Sequence, residues 1–106
     1  MTENQATTRL LSNLKKFGFF WKAADRFTSG IPDIIGCYHG RFIAIEMKVD
    51  RGKPTPLQLY NLEQIRKNEG YAAVITYSNR EGTWHVDGHA YSMQDLITHL
   101  IKTIPL

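Results

Sequence analysis

The chain has a single cysteine, Cys37, among its 106 residues. An internal disulfide and a cysteine-based zinc site are therefore excluded, and the reducing cytoplasm is the expected compartment. No apolar run approaches the roughly 20 residues that a membrane-spanning helix needs, and the first residues lack the charged-then-apolar layout of a signal peptide. Prolines and glycines are few and scattered, four and eight respectively. There is no Pro-, Gly- or Ser-rich linker, repeat or low-complexity tract, so residues 1–106 are expected to form one domain with one core. No glycine-rich phosphate loop and no serine nucleophile elbow occurs. His39, His85, His89 and His99 lack zinc spacing; His85 and His89 stand four apart, but around a glycine-containing turn rather than on a helix. Cys37 lies in an apolar stretch and is expected to be a small core residue.

What is present is the composition of an ordinary soluble globular protein, 42% hydrophobic and 22% charged. The net charge of +3 belongs to the first third of the chain. There Arg9, Lys15, Lys16, Lys22 and Arg26 face only Glu3 and Asp25, whereas acids and bases balance from Asp33 onward. The excess is interleaved with Phe17, Phe19, Phe20, Trp21 and Phe27. Such a segment suits a phosphate backbone, and it equally suits a solvated helix face followed by a core strand.

Thr2-Glu3-Asn4-Gln5 has the spacing of a capping box, and Ala6, Leu10, Leu14 and Phe17 follow at helical intervals. A first helix over 3–17 is expected, then a short aromatic strand over 19–23 and a polar loop over 25–32. Two β-rich runs, 33–38 and 41–49, are separated by His39-Gly40, a two-residue hairpin turn. A loop with Gly52, Pro54 and Pro56 leads to Thr55-Pro56-Leu57-Gln58, a strong helix start. That helix stops at Gly70, and a strand follows over 71–77. A polar stretch with a possible short strand at 84–86 precedes a last helix striped by Met93, Leu96, Ile97, Leu100 and Ile101. The order α-β-β-β-α-β-α predicts an α/β fold, a mixed sheet flanked by helices.

The hairpin fixes a register. With His39 and Gly40 as the turn, Tyr38 opposes Arg41 and Asp33 opposes Glu46, on one face and about 5 Å apart at Cβ. Lys48, two residues beyond Glu46, points to that same face. Paired carboxylates repel unless something neutralises them, and a divalent cation with hard oxygen ligands, Mg²⁺ or Mn²⁺, would do so while also binding phosphate. The alternative is an edge-strand salt bridge between Glu46 and Lys48, with Asp33 capping the preceding turn. A Glu-x-Lys tripeptide alone arises in roughly one in three chains of this length; its register with Asp33 is what gives it weight. Glu3 falls within the apolar stripe of its helix, either as a partner for a metal or as an acid exposed at the helix start. Gln58 falls within the arc of Leu57, Leu62 and Ile65, either as a site residue or as the return half of a capping box.

The run Gly30-Ile31-Pro32-Asp33-Ile34-Ile35-Gly36, then Ile43-Ala44-Ile45-Glu46-Met47-Lys48, then Gln58, resembles the PD-(D/E)XK nuclease superfamily and, within it, the VRR-NUC family. The resemblance spans about residues 3–77 and implies a restriction-endonuclease-like core. It implies Mg²⁺, with Mn²⁺ as substitute, held by Asp33, Glu46 and the backbone carbonyl of Met47. Lys48 would then be the catalytic lysine, Gln58 the glutamine of the following helix, and Glu3 the acidic residue of the first. With no helicase or other partner domain, the chain is similar to stand-alone phage and bacterial members and to Holliday junction resolvases. A metal-dependent endonuclease acting on branched DNA is the expected function. A nicking or restriction-like duplex nuclease and a non-catalytic DNA-binding module are its rivals. Arg26, Ser29, Arg51 and Lys53 flank the expected site on loops and, with Lys15, Lys16 and Lys22, are the candidate DNA contacts. A homodimer is expected, because symmetric cutting of a four-way junction needs two sites. The last helix, with Ile97, Leu100, Ile101 and Ile104, either packs on its own sheet or meets a partner.

Overall fold

The computed structural model describes residues 1–23 and 28–105. Helix α1 (Glu3–Leu14) opens with the capping box that its sequence spells: the Gln5 amide donates to Thr2 Oγ1, and the Thr2 amide to Gln5 Oε1. The helix stops three residues short of the expected end. The amides of Lys16 and Phe17 reach carbonyls only three residues back, on Asn13 and Leu14, so the last turn tightens.

Strands β1 (Phe19–Lys22), β2 (Ile34–Tyr38) and β3 (Arg41–Val49) are followed by α2 (Pro56–Lys67), β4 (Tyr71–Ser78), β5 (Thr83–Val86), β6 (His89–Tyr91) and α3 (Met93–Thr103). The six strands lie in sequence order in one sheet. All neighbours are antiparallel except β3 and β4, whose parallel pairing α2 bridges. The expected mixed sheet with flanking helices is therefore present, with one addition. The stretch after β4 forms a hairpin, because Asp87 and Gly88 both adopt positive φ (50° and 79°), the two-residue geometry that matches strand twist. The order becomes α-β-β-β-α-β-β-β-α. His39 and Gly40 (φ 52° and 76°) make the same kind of turn between β2 and β3.

The sheet is covered unequally. On one face, α1 and α3 bury Ala6, Leu10, Leu14, Leu96, Leu100 and Ile104 against Phe20, Ile34, Ile43, Ile45, Met47 and Ile75. On the other, α2 covers only the middle, setting Leu62 on Ala44 and Ala72. The central strand β3 is buried from Ile43 to Lys48 without alternation, as expected where helices lie on both faces. Cys37 corrects the sequence reading. It is exposed, because β2 turns Ile34 and Gly36 to the large core and leaves Cys37 on the face that α2 does not reach. Gly36 itself is required there: a Cβ would stand 2.6 Å from the Phe19 carbonyl oxygen and within the Phe20 ring.

Candidate metal centre

β2 and β3 pair in the register that the turn dictates, with Ile34 opposite Ile45 and Tyr38 opposite Arg41. Asp33, one residue before the ladder, thus lies beside Glu46. Its Oδ2 accepts the Met47 amide at 2.7 Å, which fixes the carboxylate at the fork of the two strands. Glu3, on the first turn of α1, completes the group. One carboxylate oxygen from each of Glu3, Asp33 and Glu46 lies within 4.8 Å of the others. The acid at the helix start is thus turned toward the other two carboxylates.

Glu46 is 1% exposed, and neither of its carboxylate oxygens has a hydrogen-bond partner. Its nearest counter-charge is Lys48, whose Nζ is 3.6 Å from Oε2 and which is itself buried. Burial first, then the close approach and charge of the Asp33 carboxylate, push the Glu46 carboxyl up to about 8, with Glu3 adding to the rise and Lys48 opposing it. A buried carboxylate without donors is strongly disfavoured unless a cation meets it. Three oxygen-donor side chains, one of them buried and unsatisfied, fit a hard divalent ion.

The loop before Asp33 is pinned by a residue that sequence reading passed over. Asn61 Nδ2, on α2, donates to the Gly30 carbonyl at 2.8 Å. Gly30 holds φ at 77°, and a Cβ there would stand 2.8 Å from both Asn61 Nδ2 and Leu57 Cγ, so the chain packs against α2 only as glycine. No motif marks Asn61, because its role depends on how the loop meets the helix. Gln58 closes the second capping box: its Oε1 accepts the Thr55 amide at 2.8 Å, and its own amide donates to Thr55 Oγ1 at 3.2 Å. Its side-chain nitrogen has no protein partner among the described residues.

The candidate DNA contacts divide. Arg51 and Lys53 are exposed on the loop after β3, and a Cβ at the intervening Gly52 would lie 3.7 Å from Lys48 Cδ. Ser29 is exposed beside the pinned loop. Lys22 is tied to Asn4 Oδ1 next to the start of α1. Lys15 and Lys16 lie past the far end of α1, about 18 Å along its axis from Glu3. Arg26 lies outside the described residues.

No protein-family model and no curated protein sequence matches the chain. Solved structures do. A VRR_NUC domain superposes with TM-score 0.64 at 20% identity, over 97% of each chain. A second VRR_NUC domain protein gives 0.61 at 22%, over all of this chain and 90% of the other. The Holliday junction resolvase Hjc of Archaeoglobus fulgidus gives 0.61 at 22%, over 86% of this chain and 77% of its own. The chain thus shares the fold of these structures, a restriction-endonuclease-like core.

Proposed function

We propose that a chain with this fold and this carboxylate cluster is a divalent-metal-dependent endonuclease that hydrolyses phosphodiester bonds in branched DNA. The observation that carries the reading is the buried, unsatisfied Glu46 carboxylate beside Asp33 and Glu3, with Lys48 as its one close cation among the described residues. Glu46 and Asp33, with the Met47 carbonyl and Glu3, would hold Mg²⁺, or Mn²⁺ in its place. The ion supplies Lewis acidity and charge neutralisation at the scissile phosphate. Asp33, fixed by the Met47 amide, presents its free oxygen to the cluster. Lys48, with little water around it, carries its charge to the oxygens of a phosphate at the cluster and orients the attacking water. Gln58 offers its unpartnered amide nitrogen to the same phosphate. The Holliday junction resolvase among the structural neighbours supports branched DNA as substrate.

Two sites are needed to cut a junction symmetrically, and we place the second copy on the bare half of the sheet. There Phe19, Trp21 and Phe42 are 72%, 43% and 46% exposed, in register with Cys37 and Ile35. Together with Leu57 and Tyr60 they offer roughly 500 Å² of apolar surface, toward the upper end of what a monomer leaves bare and a fair share of the ~800 Å² per partner of a stable interface. These strand positions carry no charge, so two copies can meet without like-charge repulsion.

Incubation with supercoiled plasmid, linear duplex and a four-way junction tests the reading. Cleavage of the junction in Mg²⁺ or Mn²⁺ is expected, with loss of activity in excess EDTA and binding without comparable turnover in Ca²⁺. Robust cutting in EDTA would refute the metal assignment; a preference for unbranched duplex would refute the junction.

A further inference from the structure

A cleft of about 500 Å³ opens on the sheet face that carries Lys48. Its floor is Val74, Thr76 and His85. Thr76 pairs with Lys48 on one side and with His85 on the other, so the three form a row across the sheet. His85 is then two strand spacings, about 10 Å, from Lys48 at the backbone. One wall is the loop bearing Arg51 and Lys53; the other is the β4–β5 turn bearing Arg80.

The two walls are tied together. The Asp50 amide donates to the Tyr77 carbonyl at 2.8 Å, and the Asp50 carboxylate accepts from the Asn79 amide at 2.8 Å and from its side chain at 2.9 Å. The cleft also contains a second acid, Glu81, which stands 3.4 Å from His85 Nε2 and accepts from Thr83 Oγ1. Both acids are thus engaged at the rim. Arg51, Lys53 and Arg80 form no ion pair among the described residues. Three cations without ion pairs among the described residues, around a floor that bears Thr76 and His85 and between walls that are tied together, suit an anion.

We propose that this cleft is a second phosphate subsite, which takes a non-scissile phosphate of the substrate strand between Arg51 and Lys53 on one side and Arg80 on the other. It rests on the nucleic-acid reading above, and it adds Arg80, Thr76 and His85 to the contact surface. The row from Lys48 sets the path: a strand whose scissile phosphate lies at Lys48 crosses β4 and reaches the cleft with a neighbouring phosphate. Two anchored phosphates fix the direction of the strand through the site, which one cannot.

Binding, not cleavage, tests it. Lys48→Ala protein is titrated without added metal against a fluorescent four-way junction, then against junctions carrying one neutral methylphosphonate at successive positions around the cut. Adding Arg80→Ala is expected to weaken binding about three- to tenfold and to reduce the slope of log affinity against log salt by about 1. Lys102→Ala, the same loss of charge on α3, should do neither. One methylphosphonate position should reproduce the loss, and at that position Arg80→Ala should cost nothing further. An Arg80→Ala protein indistinguishable from Lys102→Ala, or one whose loss is the same at every methylphosphonate position, overturns the subsite. A wild-type protein that shows the expected footprint yet cuts nothing defeats the nuclease reading and leaves the subsite standing.

Discussion

Lys48 stands 3.6 Å from Glu46 in a region where Glu46 is shut off from water and Lys48 largely so. Lysine at this place offsets part of the acidic charge and, on the proposed function, would bring its positive charge to the reacting phosphate. Lys48→Ala is therefore expected to lower turnover about a hundredfold or more while junction affinity stays near wild type, as gel-shift and single-turnover assays will show. Asp33→Asn should lose turnover as well and bind DNA as tightly or more so, having one less charge opposite phosphate. Glu46 gives a pH signature of its own. Its carboxyl ionises near 4.5 in the unfolded chain and only near 8 in the fold. The folded state thus keeps a proton that the unfolded state has lost. The contribution of this group to the stability of the metal-free protein is full below about pH 4.5 and is lost as pH rises toward 8. Glu46→Gln should remove that fall. Melting curves in EDTA should then show it several degrees more stable than wild type at pH 8.5 and equal to it at pH 4. Mg²⁺ should raise the wild-type Tm at pH 8 and leave Glu46→Gln unmoved.

At the level of elements, short polar sequences do more than the apolar runs to place the site. The His39-Gly40 turn sets the β2–β3 register, and through it the meeting of Asp33 with Glu46. The Thr55–Gln58 box starts α2, which carries Asn61 to the Gly30 carbonyl. Gln58 therefore has two separable roles, and substitution can part them. Thr55→Ala should cost about 1 kcal/mol of stability, roughly 4–8 °C in Tm, through loss of the cap. Gln58→Glu retains an oxygen for the Thr55 amide while losing the free amide nitrogen, so it should melt near wild type and cut more slowly. Unchanged turnover in Gln58→Glu would leave the residue as a cap alone. The helix starts and the β2–β3 hairpin were legible from spacing, and a mixed sheet from the order of the elements. The β5–β6 hairpin was less so, although Asp87-Gly88 carried the turn signal, because three-residue strands are too short to show alternation.

For the whole molecule, the consequence that matters is the uneven cover of the sheet. α3 sends Leu96, Leu100 and Ile104 into its own core, so its apolar stripe is already satisfied. The surface left over is the β1–β2 face, where Phe19 and Trp21 sit with ring centroids 5.1 Å apart. The aromatic residues of the basic first third thus part company: Phe17 and Phe20 join the core, while Phe19 and Trp21 face outward. Light scattering at micromolar concentration should report a dimer, and Phe19→Glu with Trp21→Glu should report a folded monomer. The same pair of changes is expected to leave nicking of one junction strand intact and to abolish paired cuts. A wild-type monomer, with and without junction DNA, that still cuts symmetrically would refute the arrangement.

The sequence by itself determined the local geometry: the caps, the two-residue turns and the alternation that puts Glu46 and Lys48 on one face. These follow from interactions a few residues apart, and a hairpin register is arithmetic once its turn is known. Only the tertiary structure decided which faces are covered. Cys37 lies in as apolar a run as Ile34, yet it is exposed because α2 stops short of β2. The gathering of Glu3 with Asp33 and Glu46, the hold of Asn61 on Gly30, and the placing of Arg80 across a cleft from Arg51 belong to the same class. Each joins residues 29 or more positions apart in the chain, where contact depends on the packing of whole elements and no local spacing records it.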